Sequence, residues 1–512
     1  MGHLCISIAW VEDDAPESPW NELSRIKVPA LELQPDSPSR DSLEALEQQT
    51  LKFGQDLMRN LLSLQWDILD QQQVEHYCAQ FAPDVIERDG YASQKVACRL
   101  GIVHLNRQVC FNRQSDQHIM PGNELLPEHN GTIITRSLQE WACLLPQDLP
   151  FASVERLLGW QTQQPHVISK SEVRLIVQRH GSAIRAAEAE AVSEWEGRSD
   201  LNQFQAKLLD AKEPRHRAGW PAELNAAVEQ ALADPNPKPP EGVSAQDWQR
   251  VLQARTQEAA CWPVERLRCL GPEVQSGQTI AATDDILVRR PAAGQWLTLR
   301  VARVATPDGY RYLSGTGSLL LRQLVLLLFF CGGLSGWVTL LGDGAKWLRD
   351  FFETRLSPFT HKELLLDWYH LRHKCANFAS MICATREAKT ALKKTLSASL
   401  WKGQVDAALE ALEACRPQTK NEKKLQELID YLRARKPYIV NYDERRRQQQ
   451  YIGSAHAEKA CDLIVAKRQK NRGMHWSEAT ADALAALKTV MLNQSWDLYW
   501  QKHQVLPLAT VS

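Results

Sequence analysis

The chain has 512 residues, which is too long for one ordinary domain and predicts three or more. Its 60 Lys and Arg residues balance 61 Asp and Glu residues, so contact with a polyanion requires local basic patches rather than a global positive field. The 12 cysteines include no C-x-x-C pair, which argues against a zinc ribbon or a disulfide framework and favours a reducing cytosol.

Membrane segments are not expected. The N-terminus lacks a basic region followed by a full apolar stretch, so no signal peptide is predicted. The longest apolar run, residues 324–331, is much shorter than the roughly 20 residues that a bilayer requires, and it is typical of a buried core helix. The sequence therefore predicts a cytoplasmic protein with no membrane partner.

The N-terminal part changes character twice. Residues 1–36 are rich in Pro, Ser and acidic residues, which is typical of a loosely ordered segment. Residues 37–135 predict a mixed helical and β unit: residues 39–69 have a helical period, and residues 96–113 carry β-branched residues around a glycine, which indicates paired strands.

Residues 136–234 predict a helix-turn-helix DNA-binding region followed by a long helix, with three short helices up to residue 180. The last short helix begins with Ser169 and Glu172 at capping-box spacing and is expected to end at Gly181. Any solvated helix carries charges like those on its outer face, so ordinary surface remains the alternative to DNA binding. Its inward stripe is Val173, Ile176, Val177 and His180, and its outward donors are Lys170, Arg174 and Gln178.

The remaining chain predicts a ribonuclease-H-like catalytic domain, a mixed five-stranded sheet with helices, interrupted by an all-helical insertion. Three strands, the apolar helix and a further strand follow one another in the order of the first half of such a domain. The predicted boundaries are a linker and connector at 235–276, the first catalytic part at 277–372, the insertion at 373–440, and the second part with a C-terminal tail at 441–512.

Two aspartates are candidate catalytic residues: one lies within a predicted strand and the other directly follows one. Asp343 follows an apolar strand in the sequence LLGDGAKW, where it either caps the next helix or joins a group of acids. Asp284 lies among core-facing residues of the first strand, where a carboxylate is costly unless it is paired or bound to metal, whereas Asp285 faces the other way. The first and fourth strands of this fold are neighbours, so Asp284 and Asp343 are expected to lie side by side and to require a divalent cation.

A third acid is expected from a helix packed on the sheet. Ser454 can cap a helix on which Glu458 borders the apolar stripe, and Asp462 lies one turn later as a less suitable ligand. Three carboxylates around one or two Mg²⁺ ions are the arrangement that supports phosphodiester displacement. Each acid taken alone is more often a cap or a surface group, so the hypothesis depends on the three occurring together.

Several strings of this sequence resemble bacterial ISKra-type insertion-sequence transposases, relatives of the Mutator-like DDE enzymes. The strings are DDILVRRP, LRVARVATPDGYRYLSG, VTLLGDGAKWLRDFF, LLLDWYHLRHKC, SLWKG, YIGSAHAEKACD, KRQKNRGMHW and MLNQSWDLYW, in order between about residues 90 and 500. The resemblance implies that Asp284, Asp343 and Glu458 are the first, second and third catalytic acids and that they bind two ions of Mg²⁺ or Mn²⁺. One departure is the turn GSAHAE before the glutamate, which is often glycine-rich in the family.

The resemblance also implies auxiliary residues. Asp367 and His370 match the acid-x-x-His pair that follows the second acid in Mutator-like relatives, although a lone histidine near an apolar helix is more often a core hydrogen-bonding residue. Trp401 and Trp476 are candidates for base stacking, with core packing as the commoner alternative. The basic residues at the end of the Glu458 helix suit its negative end through the helix dipole alone, and they are also candidates for phosphate contacts: Lys467, Arg468, Lys470 and Arg472.

The sequence thus predicts a DNA transposase that binds the terminal inverted repeats of its element and joins them to target DNA. Double-stranded DNA is the expected partner, with a homodimer or higher oligomer forming on it in the nucleoid of a bacterium. Two alternatives remain open: a DNA-binding regulator descended from such an enzyme that no longer cuts, and a ribonuclease-H-like nuclease without strand transfer.

Overall fold

The computed structural model describes residues 5–10, 21–27, 42–127, 131–197, 278–292, 294–306, 309–334, 336–470 and 473–505. The chain divides into two compact units, residues 1–179 and residues 180–512, and each is described by itself. The predicted linker at 235–276 lies outside the described residues. In the part of the chain that is described, no helix is both long and apolar enough to cross a membrane.

The first unit begins with an antiparallel strand pair, so the prediction of a loosely ordered segment over residues 1–36 is wrong where strands β1 and β2 lie. Helix α1 then packs against β4 of a four-stranded sheet in the order β5-β4-β3-β6. The predicted helix and strand pair are confirmed. The elements are β1 (Cys5–Trp10), β2 (Asn21–Lys27), α1 (Ser42–Cys78), β3 (Ile86–Cys98), β4 (Gly101–Asn112), β5 (Gln117–Ile119) and β6 (Ile133–Ile134).

Three helices follow: α2 (Arg136–Leu144), α3 (Phe151–Thr162) and α4 (Lys170–Gly197). The predicted capping box of α4 is confirmed, because the backbone N–H of Glu172 donates to Ser169 Oγ at 3.2 Å and the backbone N–H of Ser169 donates to the Glu172 carboxylate at 2.6 Å. The inward stripe is also confirmed, since Val173, Ile176 and Val177 are buried.

The expected end of α4 at Gly181 is wrong, and the helix continues to Gly197. Gly181 instead permits a close helix contact: a Cβ placed there would lie 2.3 Å from Ala483 Cβ and 2.4 Å from Ala483 Cα. The missing side chain serves packing rather than a left-handed helix end, and from the sequence alone both uses of a glycine look the same.

The second unit contains a mixed five-stranded sheet in the order β11-β10-β7-β8-β9. β10 is parallel to both β7 and β11, whereas β7, β8 and β9 pair antiparallel. The predicted adjacency of the first and fourth strands is therefore confirmed. The strands are β7 (Gln278–Arg289), β8 (Trp296–Thr306), β9 (Gly309–Gly315), β10 (Trp337–Gly342) and β11 (His361–Leu366).

One apolar helix and two short helices accompany the sheet. α5 (Leu319–Gly332) is the expected core helix, buried almost along its whole length, and it packs on β7, β8 and β9. α6 (Lys346–Asp350) follows β10 and continues into a π-helical turn, Phe351–Arg355. α12 (Ala455–Cys461) packs on β7 and β8.

The segment between β11 and α12 is helical, as predicted, although its first helix begins directly after β11 rather than at residue 373. Their leucines form a common core with the sheet. The helices are α7 (Trp368–Ile382), α8 (Arg386–Trp401), α9 (Val405–Ala414), α10 (Glu422–Arg435) and α11 (Tyr442–Arg447), and the chain ends with α13 (Glu478–Leu492) and α14 (Trp496–Lys502).

Candidate catalytic site

Asp284 and Asp343 occupy equivalent levels of two neighbouring parallel strands. Leu341 of β10 is in register with Ala282 of β7, and each aspartate lies two residues further along its own strand direction. Burial raises the pKa of Asp284 to about 6, and the negative charge of Asp343 contributes in the same direction. The two carboxylates are therefore close enough to repel each other, as the sequence predicts for a pair that a cation would bridge.

Asp343 does not cap the helix that follows it. The N-cap residue of α6 is Ala345, and Asp343 Oδ1 accepts a hydrogen bond of 2.8 Å from the Ala345 backbone N–H, which forms a tight local turn. The same mode of attachment holds Asp284, whose Oδ1 accepts from the Asp285 backbone N–H at 2.8 Å. Each aspartate thus uses one carboxylate oxygen to fix its orientation, and within the described residues the other oxygen has no hydrogen-bond donor.

The glycines around Asp343 permit close packing against the turn. A Cβ at Gly342 would lie 2.2 Å from Leu348 Cδ2. Gly344 has a φ of +70°, and a Cβ there would lie 2.7 Å from Leu366 Cδ1 and 3.1 Å from Arg435 Nε. The groups that approach the GDG turn are therefore Leu348 of α6, Leu366 at the end of β11, and Arg435 of the helical segment that follows β11.

Asp367 supports the site from the end of β11. Its carboxylate is buried and accepts hydrogen bonds from the His370 backbone N–H at 2.7 Å, from Ser454 Oγ at 3.0 Å and from the Ser454 backbone N–H. Burial alone would raise the pKa of Asp367, but these hydrogen bonds outweigh it and hold the pKa below its usual value. The prediction that the Ser454 side chain caps α12 is wrong, because its hydroxyl donates to Asp367 instead.

His370 links the acids to one another. Its Nδ1 lies 3.5 Å from Asp367 Oδ1, and its Nε2 lies 3.9 Å from Glu458 Oε1. The Asp367 carboxylate raises the pKa of His370 to about 9 against the opposing effect of burial, and the charges of Asp284 and Glu458 add to the rise. The imidazolium therefore stands among three carboxylates.

Glu458 is the most accessible of these acids, with 55% of its side chain exposed. The structure brings it to His370 and, through His370, into the same electrostatic neighbourhood as Asp284. The buried thiol of Cys461, one turn along α12, confirms the proximity, since its pKa is raised first by burial and then by the charges of Asp284, Asp285 and Glu458.

Whether a divalent cation fits this site depends on which oxygen atoms are free to act as metal ligands. The oxygens of Asp284 and Asp343 that lack a donor are hard ligands of the kind that Mg²⁺ and Mn²⁺ prefer. A cation would offset both the burial of Asp284, which is the main cause of its raised pKa, and the smaller contribution of the Asp343 charge. Among the described side chains, no group of three or more His, Cys, Asp or Glu residues is placed to hold an ion as it stands. The Glu458 carboxylate, which is exposed and lies 3.9 Å from His370 Nε2, is not part of such a group.

Asp285 lies on the other face of β7, where it forms a structural salt bridge. Its carboxylate receives a hydrogen bond of 2.9 Å from Arg300 Nε of β8, and the Arg300 guanidinium lies 3.8 Å from the centre of the Trp347 ring. This cross-strand pair separates the roles of the two consecutive aspartates.

The predicted phosphate-contact residues after α12 are placed in different ways. Lys467 and Lys470 are exposed on the π-helical turn Asp462–Lys470, which continues α12. Arg468 is buried, with its guanidinium 4.7 Å from the centre of the Trp476 ring, so the prediction of a phosphate contact for Arg468 is wrong in this arrangement. Arg472 lies outside the described residues.

The two tryptophans proposed for base stacking pack within the protein. The Trp476 ring is buried, and its Nε1 donates to the Gln469 carbonyl at 2.9 Å. Trp401 donates to Asp443 Oδ1 at 3.1 Å and packs edge-on against Trp368. Both therefore follow the core-packing alternative.

The outward stripe of α4 has the predicted exposure in two of its three positions. Lys170 and Arg174 are exposed, and Gln178 is half-buried. The stripe presents two positive charges to solvent on one helix face.

Sequence reasoning missed a cationic and aromatic cluster on β8, β9 and α12. Arg303 donates to His456 Nδ1 at 2.7 Å, and its guanidinium lies 3.5 Å from the centre of the Tyr310 ring. The sequence contains a signal for this cluster, since the YRY motif of β9 places Tyr312 opposite Arg303 in the strand pairing. The arginines near Asp343 were also missed, since nothing local connects Arg435 with a strand end more than 90 residues earlier.

Comparison with known protein families matches part of this chain. Residues 334–501, about a third of the chain, match the sequence model of an uncharacterised protein family, UPF0236. The matched segment contains Asp343, Asp367, His370 and Glu458, but not Asp284. No curated protein matches the sequence.

Proposed function

We propose that this chain is a DDE-type DNA transposase, related to the ISKra-type and Mutator-like enzymes that its motifs resemble. The observation that carries the proposal is the pair Asp284 and Asp343, level with each other on neighbouring parallel strands, each with one carboxylate oxygen fixed by backbone and one directed to no donor of the described chain. Such a pair is costly in a protein that has no cation or phosphate chemistry to perform.

The strand order supports a ribonuclease-H-like catalytic domain. In this proposal β7, β8 and β9 form the antiparallel part, β10 and β11 extend the sheet in parallel, and α12 supplies the third acid. The helices α7 to α10 are then the insertion that separates the second acid from the third.

The residues of the chain hold and orient the reacting groups. Asp284, Asp343 and Glu458 would hold Mg²⁺ or Mn²⁺, which when bound supplies activation of an attacking oxygen and stabilisation of a leaving oxygen. Asp367 receives two hydrogen bonds from Ser454, the residue before α12, and thereby fixes the helix that carries Glu458. His370 places a positive charge between Asp367 and Glu458.

The proposed reaction has two steps. In the first, water attacks a phosphorus at the end of the element and the 3′-oxygen leaves, which gives a 3′-hydroxyl and a 5′-phosphate. In the second, that 3′-hydroxyl attacks a phosphorus of target DNA and displaces another 3′-oxygen, so that one phosphodiester bond forms as one breaks.

DNA recognition is proposed for the first unit and the start of α4. Helices α3 and α4 would act as the helix-turn-helix, with Lys170, Arg174 and Gln178 toward the terminal inverted repeats. Lys467 and Lys470 would contact phosphates near the catalytic site. A homodimer or higher oligomer would bring two element ends together in the bacterial nucleoid.

One observation favours the alternative of a DNA-binding protein that no longer cuts. Glu458 is largely exposed, and the three acids are not gathered into an ion-binding group within the described residues. A single cleavage and binding experiment separates the transposase from this alternative.

The test uses duplexes from the DNA that flanks the gene and the purified full chain, with Mg²⁺ or with a chelator. A transposase nicks at the element boundary and leaves a 3′-hydroxyl only when Mg²⁺ is present, and Asp284→Asn does not cut. Specific retention of the terminal duplex without any nick would establish the silent binding protein. Cutting without preference for the boundary would establish a nuclease, and neither binding nor cutting would refute all three functions.

A further inference from the structure

Two arginines beside Asp343 lack the partners that arginines usually have. Arg435 is the last residue of α10, and its guanidinium lies 3.9 Å from the centre of the Tyr431 ring. Its Nε is buried without a hydrogen-bond acceptor, and no carboxylate of the described chain forms a salt bridge with it. Arg349 of α6 also has a buried Nε without an acceptor, and its hydrogen bond to the Ala434 carbonyl is long, at 3.4 Å.

These two positive charges lie near each other, because Arg349 Nη1 donates to the carbonyl of Ala434, the residue directly before Arg435. Burial lowers the pKa of Arg435, and the positive charge of Arg349 adds to that effect, while Tyr431 and Asp343 oppose it. A partly buried cation next to a like charge costs free energy, so packing does not explain the arrangement. An anion between the two guanidinium groups would explain it.

A third cation belongs to the same group. Lys374 of α7 is exposed, and its Nζ lies 4.9 Å from the centre of the Tyr431 ring. α7 packs against α10, and Lys374 is one helical turn beyond His370 on the same face. The three cations therefore lie on the helices α6, α7 and α10, near the acids of the candidate site.

The turn at Asp343 is built to admit this group. Gly344 has no side chain, and a Cβ there would lie 3.1 Å from Arg435 Nε and 3.4 Å from Arg435 Cδ. The phenol of Tyr431 is held in the same neighbourhood: burial raises its pKa to about 12, with Arg435, Asp343 and Arg349 among the charges that act on it. An arginine from the insertion is thus seated directly against the residue after the second acid.

We propose that Arg349, Lys374 and Arg435 form a phosphate-binding site through which the helical insertion holds the DNA backbone beside Asp343. The planar guanidinium group presents paired N–H donors that match phosphate oxygens, and the Tyr431 ring fixes the plane of Arg435. The site rests on the proposed function for the identity of its ligand, a nucleic-acid phosphate, but the anion site itself can be tested independently.

The test measures the affinity of the full chain for a fluorescent DNA duplex at several salt concentrations. Arg435→Gln removes one phosphate contact, so the slope of log K against log salt should fall by about 0.9 and the affinity by about three- to tenfold. Arg349→Gln combined with Arg435→Gln should lower the slope by about 1.8. The control is Lys423→Gln, which makes the same charge change on the same helix about 18 Å away along its axis.

Arg435→Lys keeps the positive charge and removes the planar fork. It should retain most of the salt dependence and lose part of the affinity. Thermal unfolding of each variant checks the fold, and the conservative Arg435→Lys change keeps the test decisive if Arg435→Gln unfolds. Salt slopes of the Arg435 variants equal to that of Lys423→Gln would overturn the proposal.

A second probe separates this inference from the proposed function. Inorganic pyrophosphate should raise the unfolding temperature of the wild-type chain and of Lys423→Gln, and raise it less in Arg349→Gln combined with Arg435→Gln. If the anion effect depends on the arginines but no DNA is ever cut, the anion site stands and the transposase proposal fails. If the wild type cuts DNA and neither probe responds to the arginines, the anion site fails alone.

Discussion

Two regions of the five-stranded sheet differ in whether their partly buried carboxylates have a cationic partner. On β11, Glu363 receives two hydrogen bonds from Arg445, at 2.8 and 2.9 Å, and a third from Thr339 at 2.7 Å. In the middle of β7 and directly after β10, Asp284 and Asp343 repel each other, and the nearby Arg435 forms no salt bridge with a described carboxylate. The paired charges stabilise the fold, and the unpaired ones are those to which the proposed function assigns a cation and a phosphate.

This contrast also appears in the titration of the two regions. Although burial raises the pKa of Glu363, the hydrogen bonds from Arg445 and Thr339 hold it below its usual value. The pKa of Asp284 is raised to about 6, because burial and Asp343 act on it without a compensating salt bridge. A carboxylate placed for stability is stabilised in its charged form, whereas Asp284 is not.

The largest effect is expected at Asp343. Asp343→Asn should reduce strand cleavage by about 1000-fold or more, because it removes a charged ligand, and should leave DNA binding unchanged or slightly tighter. The local turn should survive, since an asparagine oxygen also accepts from the Ala345 N–H. Gel-shift and cleavage assays on one preparation measure both properties. Cleavage at the normal rate would show that the acid serves only the turn.

The next effect concerns the paired region. Arg445→Gln leaves Glu363 without its guanidinium partner in a mostly buried position and should lower the free energy of unfolding by about 3 kcal/mol. Arg435→Gln, the matched change at the unpaired arginine, should not lower it, because the change removes a partly buried cation that lies beside a like charge. Urea denaturation followed by tryptophan fluorescence compares the two. Equal losses would remove the distinction between structural and functional charges.

A third type of charge lies on the exposed face of α4. Lys170→Ala combined with Arg174→Ala should weaken binding to terminal duplexes about tenfold and lower the salt slope by about 1.8, with no loss of stability because both side chains are exposed. Lys394→Ala combined with Lys423→Ala, two exposed lysines of the helical insertion, is the control. The same small change in both double variants would identify the α4 stripe as ordinary surface.

The smallest effect is expected at Lys362 of β11, a partly buried cation that forms no salt bridge with a described carboxylate. Its Nζ donates to the Phe352 carbonyl at 3.0 Å, and burial lowers its pKa from 10.5 to about 8. Between these values the unfolded chain binds more protons than the folded chain, so stability rises with pH. Lys362→Met should raise the melting temperature by about 1 °C at pH 7 and lose that advantage by pH 10.5. A constant difference across this range would exclude the titration of Lys362 as its cause.

Sequence reasoning succeeded where a pattern is local. The alternation on β7, the apolar run of α5 and the amphipathic helices of the insertion each predicted an element that the structure contains, because burial of one face imposes a period on the chain. The capping box at Ser169 is satisfied within four residues and was also predictable. The adjacency of Asp284 and Asp343 followed from the order of the strands.

The predictions that failed depend on distant partners. Gly181 looks like a helix end but faces Ala483, and Ser454 looks like a helix cap but donates to Asp367. Arg468 was expected at the surface and instead stacks on Trp476. Each residue has two physically equivalent uses, and only a contact made by the folded chain selects between them.

The central claim is that Asp284 and Asp343 form a divalent-cation site. Titration of the full chain with Mn²⁺, followed by isothermal calorimetry, tests it without knowledge of the DNA sequence. The wild type should bind Mn²⁺ and release heat that disappears in Asp284→Asn, while Glu363→Gln, a change at the paired carboxylate on β11, should bind as the wild type does. Absence of binding to the wild type, or equal binding by Asp284→Asn, would contradict the account.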